Sequence, residues 1–317
     1  MDKEPLVSVV VMTYNSSKTI IDTLESIKSQ TYSNIELVVT DDCSTDDTVF
    51  VVKHWIEENS SFFKNAVLVS TPHNRGVSGN VNNGIRNSNG EWVKSIAGDD
   101  LCLPTCIADN VRYITENPEI NILYSLSKSF RVVNGEKIIE ADIREGEWAK
   151  WNEHSVEEKL RVYVDHCALS SPTVFIRRKF ALSNPYDEDI PFLDDWTFMF
   201  ALLCKGIDLP LMQKVTVLYS IGDGSLIHQK SIIYSERMDM SERLFWYKYR
   251  MWELRDENAE LYDYMMKYFL LHDIQDGLFH NRPSFIRKVL NRCVYYFVMH
   301  VFHFDIKRTM ITVKTRQ

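Results

Sequence analysis

The sequence predicts an α/β domain with a mostly parallel central sheet, followed by a helical C-terminal region. Continuous apolar runs such as residues 6–12 fit strands that are covered on both faces. These runs alternate with amphipathic helical patterns, which is typical of βαβ units with right-handed crossovers. The central strand, 91–97, leads directly into Gly98 and two adjacent acids, Asp99 and Asp100. Such a strand end is the edge where open α/β sheets bind ligands.

The remaining strands and helices follow from the same patterns along the chain. Apolar runs predict strands at 36–40, 67–70, 120–126, 172–176 and 211–219. Apolar positions three and four residues apart predict helices near 20–27, 49–56, 81–87, 104–117, 197–203 and 232–281, with a loop over 74–80. The dipeptide Asn134-Gly135 predicts a tight hairpin over 130–139.

Composition and charge narrow the class of protein. The 317 residues are 45% hydrophobic and 25% charged, which is ordinary for a globular protein with a large core. A net charge of −8 argues against a nucleic-acid partner. Six cysteines without a CxxC spacing, and an N-terminus without a signal-peptide pattern, predict reduced, mostly buried cysteines in a cytoplasmic protein.

The C-terminal tail differs from the rest of the chain in charge. Residues 282–317 hold eight Lys or Arg and one Asp, a net charge of +7, which leaves −15 for residues 1–281. Within this tail, 294–304 is apolar and aromatic but shorter than the roughly 20 residues that span a bilayer. We therefore predict peripheral contact of 282–317 with the inner face of the cell membrane. The alternative is a helix that packs on the preceding domain, with its charges in solvent.

The Asp99-Asp100 pair has two interpretations at its strand end. Paired carboxylates at this edge suit a hard divalent cation that also binds substrate phosphates. The alternative is that the pair caps the next helix, which the apolar positions Ile107, Val111 and Ile114 predict. The residues alone leave both interpretations open.

Two histidine-containing segments are further candidates for a site. Asp165-His166-Cys167 fits either an acceptor cleft or a purely structural role, and no Ser/His/Asp pattern surrounds it. His228 follows a glycine-rich loop from which it could reach a metal or a diphosphate. The alternative for His228 is an isolated surface histidine.

Five segments, in order along the chain, resemble the family 2 glycosyltransferases, which have the GT-A fold. They are the run 5–15, which ends in Thr13-Tyr14-Asn15, the acidic segment 41–48, the block 74–92, the pair Asp99-Asp100, and Asp194-Asp195-Trp196. The resemblance covers residues 5 to about 220. It implies a GT-A-type three-layer sandwich with a mostly parallel central sheet over residues 1–225, and a helical C-terminal region over 226–317.

The resemblance implies an inverting glycosyltransferase that uses a nucleotide-sugar donor, UDP-linked, in surface polysaccharide biosynthesis. The acceptor would be a saccharide or a lipid-linked sugar. By the family's pattern, Asp42 is expected to accept a hydrogen bond from the donor base. Thr13, Tyr14 and Asn15 are expected to wall the base and ribose. Arg75 is expected to support the phosphates or ribose as a fixed cation.

The resemblance also implies a divalent cation and a general base. Asp100, with Asp99, is expected to hold Mn²⁺ or Mg²⁺ against the diphosphate, where the cation acts as a Lewis acid on the leaving group. Asp195 is expected to take the proton of the acceptor hydroxyl during one inverting displacement at the anomeric carbon. The sequence does not determine whether Asp194 or His228 joins this site.

Three positions depart from the family's pattern. Ala97 stands where the family has an acid, Val81 where it commonly has a basic residue, and Asp194 where it has Glu. These departures keep an alternative open, a non-catalytic nucleotide-sugar-binding protein with a degenerate site. A dinucleotide-binding oxidoreductase is disfavoured, because residues 13–17 do not form the glycine-rich turn that such enzymes have after the first strand.

Overall fold

The computed structural model describes residues 4–140, 148–165, 167–190 and 193–221, together with Leu244, Phe245 and Lys248. The chain divides into two compact units, Met1–Lys230 and Ser231–Gln317, and the first contains nearly all of the described residues. Most of the predicted helix over 232–281, the whole tail over 282–317, and the candidates His166 and His228 lie outside the described residues. The predicted domain boundary at 225/226 stays a prediction.

Nine strands form the central sheet within the described residues. They are β1 (Val7–Thr13), β2 (Ile35–Asp41), β3 (Asn65–Ser70), β4 (Trp92–Ala97), β5 (Leu101–Cys102), β6 (Ile122–Val133), β7 (Glu136–Ile139), β8 (Phe175–Arg177) and β9 (Leu211–Ser220). The sheet order is β3-β2-β1-β4-β8-β6-β9-β5, and β7 pairs with β6. Strands β1 to β4 are parallel, which confirms the predicted βαβ arrangement, whereas β8 runs antiparallel between β4 and β6.

Seven α-helices flank these strands in the described part of the chain. They are α1 (Ile20–Lys28), α2 (Thr48–Asn59), α3 (Gly76–Arg86), α4 (Cys106–Glu116), α5 (Val156–Asp165), α6 (Arg178–Ser183) and α7 (Asp194–Cys204). The predicted loop over 74–80 is wrong, because α3 starts at Gly76. The polar side chains of Ser78 and Asn80 suggest a loop in the sequence, yet both are buried against neighbouring structure.

Apolar residues of helix α1 belong to the hydrophobic core, and their packing holds the helix against the sheet. Every residue of β2 is buried, as expected for a strand that is covered on both faces. Val9, Val11 and Leu37 belong to the same buried cluster as Ile20 and Leu24, which form the apolar stripe of α1. This packing fixes the start of α1, and therefore the preceding loop, at the carboxyl end of β1.

The five cysteines in the described residues form no disulfide, in agreement with the prediction. Cys102 and Cys106 are buried. Cys43 and Cys167 are partly exposed and Cys204 is exposed, so the expectation of mostly buried cysteines is wrong for this part of the chain.

The predicted hairpin over 130–139 is confirmed, but its first arm belongs to a longer strand. Phe130 pairs with Ile139 across the two arms, β6 and β7. Asn134 and Gly135 form the turn with φ angles of 53° and 84°, the left-handed region that favours these residue types. The strand predicted over 120–126 and the first arm of the hairpin are one element, the 12-residue β6.

Gly84 allows α3 to pack directly on β1 and β2. A Cβ atom at Gly84 would lie 2.2 Å from Val10 Cγ1 and 3.1 Å from Thr40 Cγ2. We expect Gly84→Ala to lower the free energy of unfolding by about 1–3 kcal/mol, the usual cost of overpacking a core. Urea denaturation measures this change. The control is Val77→Ala, on an exposed position of the same helix, which should change the free energy by less than roughly 0.5 kcal/mol. Equal effects of the two substitutions would contradict the packing argument.

Candidate functional site

Strand register brings three polar loops to one edge of the sheet. Thr13 is paired with Asp41, and Met12 with Ala97, so that β1, β2 and β4 end together. Beyond these ends, the Gly98 amide donates to the Met12 carbonyl at 2.9 Å and keeps the exit of β4 beside β1. The predicted site acids that follow these strand ends therefore share one carboxyl edge: Asp42, Asp99 and Asp100.

Hydrogen bonds join the loop after β1 to the loop after β2. Asn15, with a φ angle of 52°, accepts the Thr45 amide at its Oδ1 at 2.8 Å. Asp46 accepts the amides of Ser17 and Thr48 at 3.2 Å and 3.0 Å. Desolvation acts to raise the pKa of Asp46, but these hydrogen bonds outweigh it and lower the pKa to about 2. The two loops therefore form one connected wall at the sheet edge.

The three residues predicted to wall the donor base have different environments. Thr13 is 1% exposed and its hydroxyl donates to Asp41 Oδ1 at 3.0 Å. The Thr13 hydroxyl therefore stabilises the strand ends, and its expected contact with a donor stays a prediction. Tyr14 is 51% exposed, and Asn15 beside it is exposed as well. Tyr14 and Asn15 thus stay the candidates for that wall.

Asp42 joins the end of β2 to the start of α3. Its Oδ1 accepts the Arg75 amide at 2.8 Å and the Thr71 hydroxyl at 3.2 Å. Asp42 is 2% exposed, and no hydrogen bond from the described residues reaches its Oδ2. A carboxylate that is fixed through one oxygen, with the other oxygen uncommitted, suits an N–H donor such as that of a base.

Arg75 occupies the N-cap position of α3 and forms an ion pair with Glu188. Arg86, at the other end of the helix, forms a second ion pair with the same carboxylate, with Nη2 3.0 Å from Oε1. No local pattern in the sequence marks Glu188, because its partners lie more than 100 positions away along the chain. The expected contact of Arg75 with the donor phosphates stays a prediction.

The Asp99-Asp100 pair lies at the exit of β4. Asp100 is 2% exposed, and its Oδ1 accepts the Ser220 amide at 2.8 Å. Its backbone carbonyl accepts the Thr23 hydroxyl at 2.8 Å, which ties the pair to α1. Burial, and then the charge of Asp99, raise the pKa of Asp100 well above its usual range. Burial also raises the pKa of Asp99.

The oxygen donors of this pair fit a hard divalent cation. Mg²⁺ and Mn²⁺ prefer carboxylate oxygens, and a cation's charge would favour the ionised form of two carboxyls whose pKa values burial raises. Within the described residues, no group of three or more His, Cys, Asp or Glu side chains is placed to hold a metal. A cation here would take its other ligands from phosphate and water. The helix-capping alternative is wrong, because Asp100 leads into β5 and α4 begins only at Cys106.

Lys94 supplies a buried positive charge near this pair. The side chain is 0% exposed, and its ammonium donates to the carbonyl of Pro172 and, at 3.4 Å, to that of Val174. The charge of Lys94 acts to lower the pKa of Asp100, against the effect of burial. In the sequence this charge is visible as a lysine inside a largely apolar strand, but it belongs to no motif that predicts a site.

Asp195 lies in the first turn of α7 and is half-buried. Its Oδ1 accepts the Trp196 amide at 2.7 Å, and its carboxylate is hydrogen-bonded to Cys167. The Trp196 indole donates to the Tyr163 carbonyl at 2.7 Å and so anchors α7 to α5. No contact among the described residues joins Asp195 to the acids of the sheet edge, and its place opposite them stays a prediction.

The two acids at the start of α7 have raised pKa values. Burial, and then the charge of Asp195, raise the pKa of Asp194 to about 8. Burial also raises the pKa of Asp195, against the hydrogen bonds from Trp196 and Cys167. Adjacent half-buried carboxyls resist double ionisation, and because burial and the charge of Asp195 raise the pKa of Asp194, Asp194 is the acid that keeps its proton as Asp195 ionises. One carboxylate is then available to accept a proton, which is what a general base requires.

Comparison with known proteins gives a family match. The model for the family described as "Glycosyl transferase family 2" matches residues 8–182. The chain is 26% identical to the UDP-Glc:alpha-D-GlcNAc-diphosphoundecaprenol beta-1,3-glucosyltransferase WfaP of Escherichia coli, over 71% of this chain and 81% of that protein. It is 34% identical to an uncharacterised glycosyltransferase of Haemophilus influenzae, over 39% of this chain and 38% of that protein. The chain spans less than half the length of several of its curated relatives.

Two solved structures that bind nucleotide sugars share the fold. The mannosyltransferase PcManGT from Pyrobaculum calidifontis, in complex with GDP-Man and Mn²⁺, matches with a TM-score of 0.58 at 17% identity, over 99% of this chain and 85% of its own. S. aureus TarS 1-349, in complex with UDP-GlcNAc, matches with a TM-score of 0.56 at 22% identity, over 75% of this chain and 65% of its own. These likenesses establish the fold alone, a GT-A-type α/β architecture with a curled central sheet.

Proposed function

The chain belongs to glycosyl transferase family 2 and is a glycosyltransferase, and on this premise we propose that it moves a sugar from a UDP-linked donor to a saccharide or lipid-linked acceptor. The observation that carries the proposal is the carboxyl edge where Asp42 lies with Asp99 and Asp100. The relative WfaP is named for UDP-Glc as donor and for a diphosphoundecaprenol-linked GlcNAc as acceptor. That chemistry supports both the donor and the acceptor in the proposal.

In this proposal the nucleotide binds against the wall that the loops after β1 and β2 form together. The uncommitted Oδ2 of Asp42 accepts the base N–H, while the Arg75 amide holds the other oxygen in place. The exposed ring of Tyr14 and the neighbouring Asn15 wall the base and ribose. The Arg75 guanidinium, at the start of α3, supports the phosphates.

The diphosphate lies at the Asp99-Asp100 pair, which would hold Mn²⁺ or Mg²⁺. A bound divalent cation neutralises the charge that develops on the leaving diphosphate. The protein's own contribution is to keep the pair oriented and ionised. The Ser220 amide orients Asp100 through Oδ1, and the charge of Lys94 favours the ionised carboxylate.

Asp195 acts as the general base in a single inverting displacement. The acceptor oxygen forms a bond to the anomeric carbon, the bond from that carbon to the diphosphate breaks, and the acceptor's proton passes to the Asp195 carboxylate. Hydrogen bonds from Trp196 and Cys167 hold that carboxylate in one orientation. The mechanism needs one base and no covalent intermediate.

The proposed acceptor places the reaction at a membrane surface, in surface polysaccharide biosynthesis. The +7 charge of residues 282–317 supports peripheral contact with anionic lipids on the cytoplasmic face of the cell membrane. None of the helices in the described part of the chain is long and apolar enough to cross a membrane.

Donor hydrolysis tests the proposed function and separates it from the degenerate-site alternative. Purified protein is incubated with a panel of nucleotide sugars and Mn²⁺ or Mg²⁺, and free nucleoside diphosphate is measured. We expect slow release of UDP from at least one UDP-sugar, and faster release when a suitable acceptor is added. Binding of UDP without release from any donor would favour the degenerate binder.

The pH dependence of transfer tests the role of the α7 acids. The base must be ionised, and burial raises the pKa of Asp195, so kcat should fall as the pH decreases through this raised value. The acidic limb is therefore expected above pH ~4, the ordinary range of an aspartate. Burial, and then the charge of Asp195, raise the pKa of Asp194 to about 8, so Asp194 is still protonated while Asp195 titrates, and Asp194→Asn should leave this limb in place. A limb that the substitution shifts to lower pH by about a unit or more would contradict this order of ionisation.

A further inference from the structure

One side of α3 holds the segment that leads to the acids of α7. Residues spaced three or four apart share a helix face, and four such residues contact the segment 186–190: Arg75, Ser78, Asn82 and Arg86. The Asn82 side chain bonds both backbone groups of Tyr186. Its Nδ2 donates to the Tyr186 carbonyl at 2.9 Å, and its Oδ1 accepts the Tyr186 amide at 3.0 Å. The backbone of this segment is therefore fixed on α3.

Glu188 is the residue of the segment where three of these contacts meet. Its Oε1 accepts Asn82 Nδ2 at 3.0 Å and Arg86 Nη2 at 3.0 Å, and its Oε2 pairs with Arg75. Burial acts to raise the pKa of Glu188, but the hydrogen bonds from these three residues outweigh it and lower the pKa. Glu188 is thus an ionised carboxylate that bridges both ends of α3.

Tyr186 connects the same segment to α7. Its ring stacks on Phe198, with the ring centroids 4.0 Å apart and the ring planes at 9°. Burial, and then the charges of Asp194 and Asp195, raise the pKa of Tyr186, since the ring lies close to both acids. Phe198 follows these acids by one helical turn on the same helix. A shift of residues 186–188 on α3 would therefore displace the first turn of α7.

We propose that Glu188 is a positioning residue that sets the orientation of the general base, Asp195; this inference rests on the function proposed above. Together with Asn82, Glu188 holds the segment 186–190 on α3. The stacked rings of Tyr186 and Phe198 then fix the position of α7 relative to this segment. The N-cap residue of α3 is Arg75, whose amide donates to the proposed donor-binding acid Asp42. Helix α3 thus links the donor site to the general base, and Glu188 provides the charged contact between them.

Glu188→Ala tests this role, because it should lower kcat without a matching loss of donor binding. We expect kcat to fall by about 10- to 100-fold, because a small misplacement of a catalytic group has effects of this size. The substitution frees the Arg75 guanidinium but keeps the bond from the Arg75 amide to Asp42, so the Kd for UDP should change far less than kcat, by less than about threefold. Glu188→Gln keeps one acceptor oxygen without the charge and should give an intermediate kcat. The matched control is Glu91→Ala, which removes the 2.7 Å ion pair with Arg177 at the opposite edge of the sheet and should leave kcat unchanged.

Hydrogen exchange of the amides in 193–198 gives a readout that does not depend on activity. We expect faster exchange in Glu188→Ala than in wild type or Glu91→Ala. Faster exchange with wild-type kcat, or unchanged exchange with unchanged kcat, would overturn the inference. Failure of the proposed function looks different, because wild-type protein would then release no diphosphate from any donor. In that case the difference in hydrogen exchange between Glu188→Ala and wild type would persist, but there would be no general base for Glu188 to orient.

Discussion

Replacement of Asp195 by asparagine is expected to reduce sugar transfer by about 10²- to 10⁴-fold, the usual contribution of a general base. Asparagine has nearly the same shape and can still accept the Trp196 amide, so the start of α7 should be retained. It cannot accept the proton of the acceptor hydroxyl. The Kd for UDP should therefore stay within about twofold of wild type while kcat is lost. Steady-state kinetics with a lipid-linked acceptor, together with calorimetric titration of UDP, measure both quantities.

The matched control for Asp195→Asn is Glu157→Gln, which neutralises an exposed acid in the first turn of α5. This control should leave both kcat and UDP affinity unchanged. Transfer by Asp195→Asn within about threefold of wild type would remove Asp195 as the base. A loss of UDP binding equal to the loss of transfer would instead assign it a place in the donor site.

Asp100→Asn is expected to abolish the response of the protein to divalent cations and to reduce transfer by about 10²-fold or more. The amide can still accept the Ser220 amide at the same position but offers no charge to the cation. In wild type, chelation of the cation should produce the same loss, and added Mn²⁺ should reverse it. The substituted protein should show no recovery at any Mn²⁺ concentration that restores wild type.

The stability of Asp100→Asn gives an independent check on the pair. Burial, and then the charge of Asp99, raise the pKa of Asp100 in the folded protein above its value in the unfolded chain. At any pH above that unfolded-state pKa, neutral pH included, the ionised pair therefore destabilises the folded protein. Asparagine removes that repulsion, and we expect the free energy of unfolding without metal to stay equal or rise. With Mn²⁺ and UDP, only wild type should gain stability, because only it binds the cation. A large loss of metal-free stability would mean that Asp100 is a structural carboxylate.

The parallel half of the fold and its acidic edge can be predicted because local signals determine them. Largely apolar runs specify β1 and β2, and alternation with helices makes the strands parallel. Parallel strands end at one edge, so the positions of Asp42 and Asp100 follow from chain order alone. The structure confirms this edge through the pairing of β1 with both β2 and β4.

The contacts that complete the site are not local, and the sequence alone does not reveal them. The bonds of Asn82 and Arg86 to Glu188 cross more than 100 positions. Lys94 is charged in a strand whose pattern predicts an apolar core, and its carbonyl partners come from the distant segment around Pro172. Thr13 resembles a ligand contact in the motif, but the neighbouring strand end takes its hydroxyl. When a side chain could contact either a ligand or the protein itself, the fold is needed to show which contact it makes.

A crystal structure of the full chain with UDP and Mn²⁺ tests most directly whether separate acidic segments surround one donor. We expect the uracil against Asp42, and Mn²⁺ about 2.0–2.3 Å from a carboxylate oxygen of Asp99 or Asp100. The carboxylate of Asp195 should face the open side of the anomeric carbon. A nucleotide bound away from this sheet edge, or Asp195 directed away from the donor, would contradict the proposed transferase site.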